Sequence, residues 1–540
     1  MFSALKFALK ALFPFVLLSL VGCGGGGGGS GGDIVVDTTP PPVPTGLTAT
    51  VLSVSQINLS WTGSTDAAGY KVYRNGTFTY DRFGVTTLQD INLTANTTYT
   101  YKVSAYDSAG NESAQSTTAS AKTLGTATVL MGTAANEFGR GVALDNSGNL
   151  YVTGWTGGNL DGISNPGGAD VFLVKYNASG VKQWTRLLGT TGVVDPNAGM
   201  DLGSYGLNVA VDSPRNAVYV TGYTTAAMDG QACAGGRDLF LVRYDLNGNN
   251  RLTKLYGGAT LDEVGNAVAV DINGNVYAAG YMGGAASGKD ILLLKYDASL
   301  NLQGTQQIGS SGDNVATGVA IDVTGYAVFV TGIAGGILPL GTGTSPAYAG
   351  NGDLFIARFN GVPEIQWSTL LGSSGMDAGL AIAVSGSTVS VAGMTGGSLP
   401  GKVSAGGTDI VVASYTASGA VNWIEQRGTS ADEVAYGITV DSDPGNVFVT
   451  GFTGGSPSPF KPNSGLEDLF LMKFGVGGGL PFAITLAGTT MGDEGRAIVI
   501  RESDNVVYVV GHTEGNLDAV ANSGGYDMCL LKFNLAGEQL

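Results

Sequence analysis

The sequence predicts an all-β protein: a small β-sandwich followed by a seven-bladed β-propeller that an amino-terminal strand closes. Three observations carry this. The 540 residues include 88 glycines, with 43% apolar and only 13% charged residues, which suits short strands and tight turns better than amphipathic helices. The phrase GNLYVTGWTGG at 148–158 returns as GNVYAAGYMGG at 274–284 and GNVFVTGFTGG at 445–455, and such self-similarity marks a repeat architecture. The last repeat lacks its fourth strand, and that strand's signature stands upstream of the first.

The amino terminus reads as an address. Lys6 and Lys10 precede an apolar run from Ala11 to Val21, too short to span a membrane and flanked as a secretory signal is. Leu20-Val21-Gly22-Cys23 resembles the lipobox of bacterial lipoproteins. The resemblance implies a signal peptide at 1–22, lipid on the Cys23 sulfur and, with Gly24 following, the outer membrane. The protein would face either the cell surface or the periplasm. Residues 23–37 form a Gly-rich tether with a reach of roughly 20–25 Å.

Residues 38–124 change character. INLSW places Ile57, Leu59 and Trp61 on one face at period two, and GYKVYRNG and TYTYKVSAY alternate in the same way. The segment resembles a fibronectin type III domain through Pro44, Leu47, Trp61, Leu93, Thr97, Tyr99, Val103 and Ala105. Tyr99 takes the tyrosine-corner position, with Ala95 where the family has proline. Such a domain serves as a spacer or as a binding module.

From residue 126 to 540 the phrase belongs to a longer unit with four strand signals, GVALD, LYVTG, DVFLVKY and KQWTRLLG in the first copy. Seven copies carry the strand-ending glycine, at Gly154, Gly222, Gly280, Gly332, Gly393, Gly451 and Gly511. Four strands repeated radially make a propeller blade. The seventh copy stops at 533–540, and ATVLMGTAANE at 127–137 carries the missing fourth-strand signature. Closing the ring with it hides the sheet edges. The units resemble SBBP-type β-propeller repeats, through the hallmark D-x-x-G-N-x-Y-V-T-G. That resemblance speaks to the fold and says little about activity.

Candidate site residues follow from propeller geometry. The loop before each innermost strand and the loop between strands two and three open on one face. Asn136, Asp201, Asp262, Asp313, Asp377, Asp432 and Asp493 precede the innermost strands. Asp170, Asp238, Asp290, Asp353, Asp409, Asp468 and Asp527 precede the third strands. A carboxylate ring at the channel mouth can hold Ca²⁺ or a polar ligand. Alternatively each Asp accepts bonds from loop backbone and fixes sheet to sheet, and repetition in every unit favours this reading. Apart from that cation, no cofactor is expected.

The residue after each phrase glycine forms a second series that includes Trp155, Tyr223, Tyr281 and Phe452, whose rings can stack on sugars. His512, the one histidine, takes the same place in the seventh unit and reads as a packing residue. Cys233 and Cys529 are expected to be free thiols. A formal net charge of −17 excludes nucleic acid as a partner. No G-x-S-x-G elbow, H-E-x-x-H helix or Walker loop is present, the literal G-x-S-x-G at 28–32 being part of the glycine tether.

The sequence therefore points to a monomeric, lipid-anchored envelope protein that binds or scaffolds without catalysis and presents a propeller face to a protein or glycan. The competing class is a carbohydrate-active lyase or hydrolase that uses carboxylates at the mouth.

Overall fold

The computed structural model describes residues 37–51, 56–91, 93, 97–123, 128–165, 167–189, 204–283, 288–339, 347–442, 445–457, 462–481, 483–518 and 520–540. The signal segment, Cys23, nearly all of the tether and Asp201 lie outside the described residues. Among the described residues, no helix is long and apolar enough to cross a membrane.

The sandwich is built from β1 (Thr45–Val51), β2 (Ile57–Thr62), β3 (Gly69–Arg74), β4 (Thr77–Phe83), β5 (Thr87–Asp90), β6 (Thr98–Tyr106) and β7 (Ala119–Lys122). One sheet runs β1-β2-β5 and the other β4-β3-β6-β7. The period-two pattern is realised: Ile57, Leu59 and Trp61 are buried, as are Tyr99, Tyr101, Val103 and Ala105. Trp61 meets Tyr70 edge to face at 5.6 Å, a geometry aromatic quadrupoles favour.

The repeats form four-stranded antiparallel sheets. The first comprises β9 (Glu137–Leu144), β10 (Leu150–Thr156), β11 (Asp170–Tyr176) and β12 (Lys182–Leu188), in sequential order. Five further sheets span 204–256, 262–308, 315–371, 377–427 and 433–487. Their innermost strands are β13 (Ser204–Asp212), β17 (Asp262–Val270), β21 (Val315–Ile321), β25 (Asp377–Ser385) and β29 (Glu433–Val440). The seventh sheet has β33 (Asp493–Arg501), β34 (Val506–Thr513) and β35 (Asp527–Asn534), and β8 (Thr128–Met131) pairs with β35 as its outer strand. Each innermost strand packs on the next, and β33 packs on β9.

The core lies between sheets. Tyr151 and Leu173 of the first sheet pack against Val220 and Phe240 of the second. Val152 and Phe172 turn the other way, against Tyr508 and Leu530 of the seventh. Strands covered on both faces have no polar side to show, so DVFLVKY and its relatives are apolar almost throughout. Fully burying each such Leu, Val or Phe contributes about 1.5–3 kcal/mol.

The repeated phrase has a part for each residue. Tyr151 Oη donates to the Leu246 carbonyl of the next sheet, and Tyr277 Oη does the same to Gly361. Thr153 Oγ1 donates to the Phe172 carbonyl of the neighbouring strand, as Thr221, Thr331 and Thr450 do in theirs. Gly154 stands against the Phe138 carbonyl, where any Cβ would overlap that oxygen. The cause is a β-bulge in β9: Thr153 pairs with Gly141 and Gly154 with Gly139, which leaves Arg140 inserted between them.

Candidate functional site

That bulge recurs at the same place in every innermost strand. The inserted residues are Arg140, Leu207, Asn266, Thr317, Leu380, Tyr436 and Arg496. A bulge re-aims the side chain it inserts, and all seven line one axial cavity of about 480 Å³. The backbone device is invariant, whereas the residue it presents changes from sheet to sheet. Tyr436, Arg496 and Arg140 come from three consecutive sheets and form one wall. Asn266 and Thr317 stand across from it, with their polar atoms engaged: Asn266 Nδ2 donates to Ala316 and Thr317 Oγ1 to Gly379.

The cationic wall is unevenly compensated. Arg496 pairs with Glu494, and its guanidinium lies 3.7 Å from the centre of the Tyr436 ring. Arg140 lies 5.6 Å from the centre of the Phe138 ring and has no ion pair among the described residues; its Nε is buried without a partner. Burial pushes the Arg140 guanidinium down to about 10, with repulsion from Arg496 adding to the shift and Glu494 opposing it.

Nearer the loops, the sheets present cross-strand pairs. Phe138 faces Trp155, Tyr205 faces Tyr223, Val264 faces Tyr281 and Glu494 faces His512. The rings run on from sheet to sheet. Tyr526 lies 5.0 Å from Phe138, Phe138 stacks on Trp155 at 4.4 Å, Trp155 meets Tyr205 at 5.2 Å and Tyr205 stacks on Tyr223 at 4.9 Å. The Arg237 guanidinium then lies 4.9 Å from the Tyr223 ring centre, and Lys289 Nζ 4.8 Å from that of Tyr281.

Sequence reasoning found Trp155 and Tyr223 in this arc and missed Phe138, Tyr205 and Tyr526. It also ended the second strand at the phrase glycine. The strand runs two residues further, to Thr156 in the first sheet, so the aromatic series lies inside strands. Trp155 and Tyr223 are half-buried, whereas Tyr281 and Phe452 are buried. Phe452 packs near Tyr436 at 6.0 Å, away from the arc.

The first carboxylate series is corrected. Its members occupy two different positions. Asp377 and Asp493 begin their strands fully buried, and each accepts a bond from the backbone N–H four residues upstream, at Ser373 and Thr489. Burial pushes both carboxyls up against those bonds. Their equivalents elsewhere are Glu137, Ser204, Glu263, Asn314 and Glu433, as one backbone bond shows. In each sheet this residue's N–H donates to the carbonyl preceding the neighbouring sheet's third-strand Asp, from Glu137 to Tyr526 and from Asp377 to Gly352, for example.

Asn136, Asp262, Asp313 and Asp432 stand one residue earlier and accept the return bond, from the N–H of Tyr526, Arg237, Lys289 and Thr408. The Thr408 hydroxyl and N–H hold the Asp432 carboxyl below its usual range. These side chains fasten sheet to sheet. Among the described residues no group of three or more His, Cys, Asp or Glu side chains is placed to hold a metal ion, so the Ca²⁺ ring is not formed by them.

The third-strand series is likewise internal except for Asp290, which is half-buried and accepts from Gln307 Nε2. Asp170, Asp353, Asp409, Asp468 and Asp527 are fully buried and Asp238 nearly so. Each lies beside the glycine that ends an outer strand, Gly189 for Asp170 and Gly132 for Asp527, where a Cβ would overlap the carboxylate. His512 is also buried. Burial, then Arg496 and Arg140, hold its imidazole neutral.

Residues 130–161 match the SBBP beta-propeller repeat family. Chitinase Chi52 of Paenibacillus xylanexedens is 48% identical over 84 residues, 15% of this chain and 16% of the chitinase. Exoglucanase B of Cellulomonas fimi is 33% identical over 186 residues, 33% of this chain and 16% of the exoglucanase. The chain thus spans about a sixth of the length of these curated relatives. Among solved structures, a Fn3-like protein from Clostridium thermocellum is 31% identical over 15% of this chain and 92% of its own, with a TM-score of 0.14. The periplasmic gluconolactonase PpgL of Pseudomonas aeruginosa is 10% identical over 68% of this chain and 93% of its own, with a TM-score of 0.39.

Proposed function

We propose that this chain is a lipid-anchored envelope protein whose propeller binds carbohydrate at the mouth of the axial cavity without altering it. The observation that carries the reading is the aromatic arc from Tyr526 through Phe138, Trp155 and Tyr205 to Tyr223. Tyr205 is buried and supports the arc, while the half-buried Phe138, Trp155, Tyr223 and Tyr526 present flat apolar surface, and sugar rings stack on such surfaces. Polar groups at the same mouth fix orientation, as ligand sites require. The curated relatives named above, a chitinase and an exoglucanase, agree with a carbohydrate ligand.

The test is a glycan array and an affinity measurement on the full chain, with Trp155→Ala as control. Retention of an unaltered glycan, weakened by that substitution, supports the reading. The absence of binding to any glycan overturns it and leaves a protein ligand as the alternative.

A second reading, a carbohydrate-active lyase or hydrolase, is favoured by the relatives' names alone. It predicts turnover of a glycan panel and the loss of that turnover in Asp262→Asn or Asp432→Asn. The anchor is tested separately. Cys23→Ala shifts the protein from the membrane to the soluble fraction if Cys23 carries lipid, and protease added to intact cells reports which side the protein faces.

A further inference from the structure

We infer that the axial cavity is an anion site, in which Arg140 receives a carboxylate-class group that no described residue supplies. The inference rests on the bulge ring and on a charge count within it, and it deepens the carbohydrate reading by naming an acidic sugar as the ligand class.

At the seven inserted positions an invariant backbone feature carries a varied side chain. Residues that every sheet needs recur in every sheet, as the phrase Gly and the third-strand Asp do. Positions that differ are free of that duty. Two of the seven are arginines, on adjacent strands β33 and β9, both on the cavity wall. Two cations so placed repel one another, and burying an uncompensated charge is costly. No feature of sheet packing calls for such a pair.

The compensation present is committed elsewhere. Glu494 is bound to Arg496, and His512, with Nε2 3.7 Å from Glu494 Oε2, is held neutral. Glu467 leans on Glu494 and Arg496. On the far wall Asn266 and Thr317 are neutral. Among the described residues, Arg140 therefore has no carboxylate in an ion pair with it, only the charge of Glu494 at longer range. A guanidinium presents a planar fork that matches a carboxylate bidentately, and the Arg140 guanidinium lies 5.6 Å from the centre of the Phe138 ring, a member of the aromatic arc. A saccharide stacked on Trp155 and Phe138 can lower an acid group toward Arg140, while Tyr436 and Arg496 form the adjacent wall.

The chain as a whole is strongly acidic, with a formal net charge of −17. Overall charge does not draw an anion in, so the attraction is local.

The experiment titrates full-length protein with an oligogalacturonate, a neutral oligosaccharide of equal length and sodium acetate at constant ionic strength. Binding is read by calorimetry and by melting temperature, in wild type and in Arg140→Gln. The expected result is that the oligogalacturonate binds and raises the melting temperature, and that Arg140→Gln weakens it about tenfold to a hundredfold. Without ligand, the variant melts no lower than wild type, because a half-buried charge repelled by Arg496 has gone. Arg140→Lys keeps the charge and loses the fork, so it retains only part of the affinity.

If acetate binds as tightly as the oligogalacturonate and both need Arg140, the anion site stands and the saccharide reading falls. Binding of the neutral sugar alone, unaffected by Arg140→Gln, keeps the saccharide reading and overturns the anion site. Equal binding of the anions to both proteins, or no binding of any anion, overturns it as well.

Discussion

The backbone N–H of Glu137 donates to the carbonyl of Tyr526 at 2.6 Å, joining the start of the repeat region to its end. The same bond runs from Glu263 to Arg237 and from Glu433 to Thr408 between sequential sheets. The seventh sheet therefore meets the first through the contact that joins any two neighbours.

Strand β8 belongs to that junction. Met131 pairs with Met528 and Leu130 with Cys529, and Met131 is buried in the core between the seventh and first sheets. Replacing residues 128–131 with Gly-Ser-Gly-Ser exposes the edge of β35 and removes a buried methionine, worth about 2–5 kcal/mol. The expected outcome is a lower melting temperature and concentration-dependent aggregation, since open edges recruit other chains. An unchanged melting curve would show that β8 is dispensable.

The outer-strand glycines make a second test. A Cβ at Gly189 overlaps the Asp170 carboxylate, and one at Gly428 overlaps Asp409 and crowds Glu433. Gly428→Ala should destabilise by about 1–3 kcal/mol, the usual cost of overpacking. Gly477→Ala, where a Cβ meets nothing within 4 Å, should leave stability within about 0.5 kcal/mol. Chemical denaturation of the two variants compares them directly.

The buried carboxyls give the propeller an unusual pH response. Burial pushes Asp170 up to about 6, and both of its oxygens lack partners. Burial also raises Glu137, Glu263, Asp353, Asp377, Glu433, Asp468, Asp493 and Asp527. A carboxyl whose pKa is higher folded than unfolded binds more protons in the folded state. Its stabilisation is complete below about pH 4 and fades as pH rises through the folded value.

The propeller should therefore melt higher at pH 5 than at pH 8, and Asp170→Asn should raise its melting temperature at pH 8 by roughly 2–4 °C. The sandwich responds the other way. Burial works against ionisation of Glu112, but bonds from Lys71, Ser104 and Tyr73 hold it at about 2. That support is present above about pH 4 and is lost as pH falls through the folded value. Scanning calorimetry from pH 3 to 8 resolves the two trends.

Much of this architecture was legible in the sequence. The phrase, its period and the displaced outer strand specify the sheets and their pairing, because turn and strand chemistry are local. The site was less legible. Asn136-Glu137, Asp262-Glu263 and Asp432-Glu433 show adjacent acidic or amide residues, and only the bond to the neighbouring sheet decides which of each pair is equivalent to Asp377. Phe138 and Tyr205 looked like ordinary strand residues until their cross-strand partners were known. The bulge leaves no mark in the letters: Gly139-Arg140-Gly141 reads as plain strand, and the inserted residue emerges only from the register with β10.

The phrase glycine and the cavity are mechanically linked, and the last prediction exploits this. Gly154 has no Cβ, so the Phe138 carbonyl can turn against it, and the bulge that aims Arg140 depends on that turn. Gly332 plays the same part for Thr317 on the far wall, against the Val315 carbonyl. Both Gly154→Ala and Gly332→Ala should lose stability, by about 1–3 kcal/mol. They should differ in the cavity. Gly154→Ala displaces the guanidinium and abolishes the rise in melting temperature that oligogalacturonate produces. Gly332→Ala leaves Arg140 in place and keeps the rise. Thermal shift with and without the anion separates the two variants; equal responses would show that the bulge does not aim the side chain.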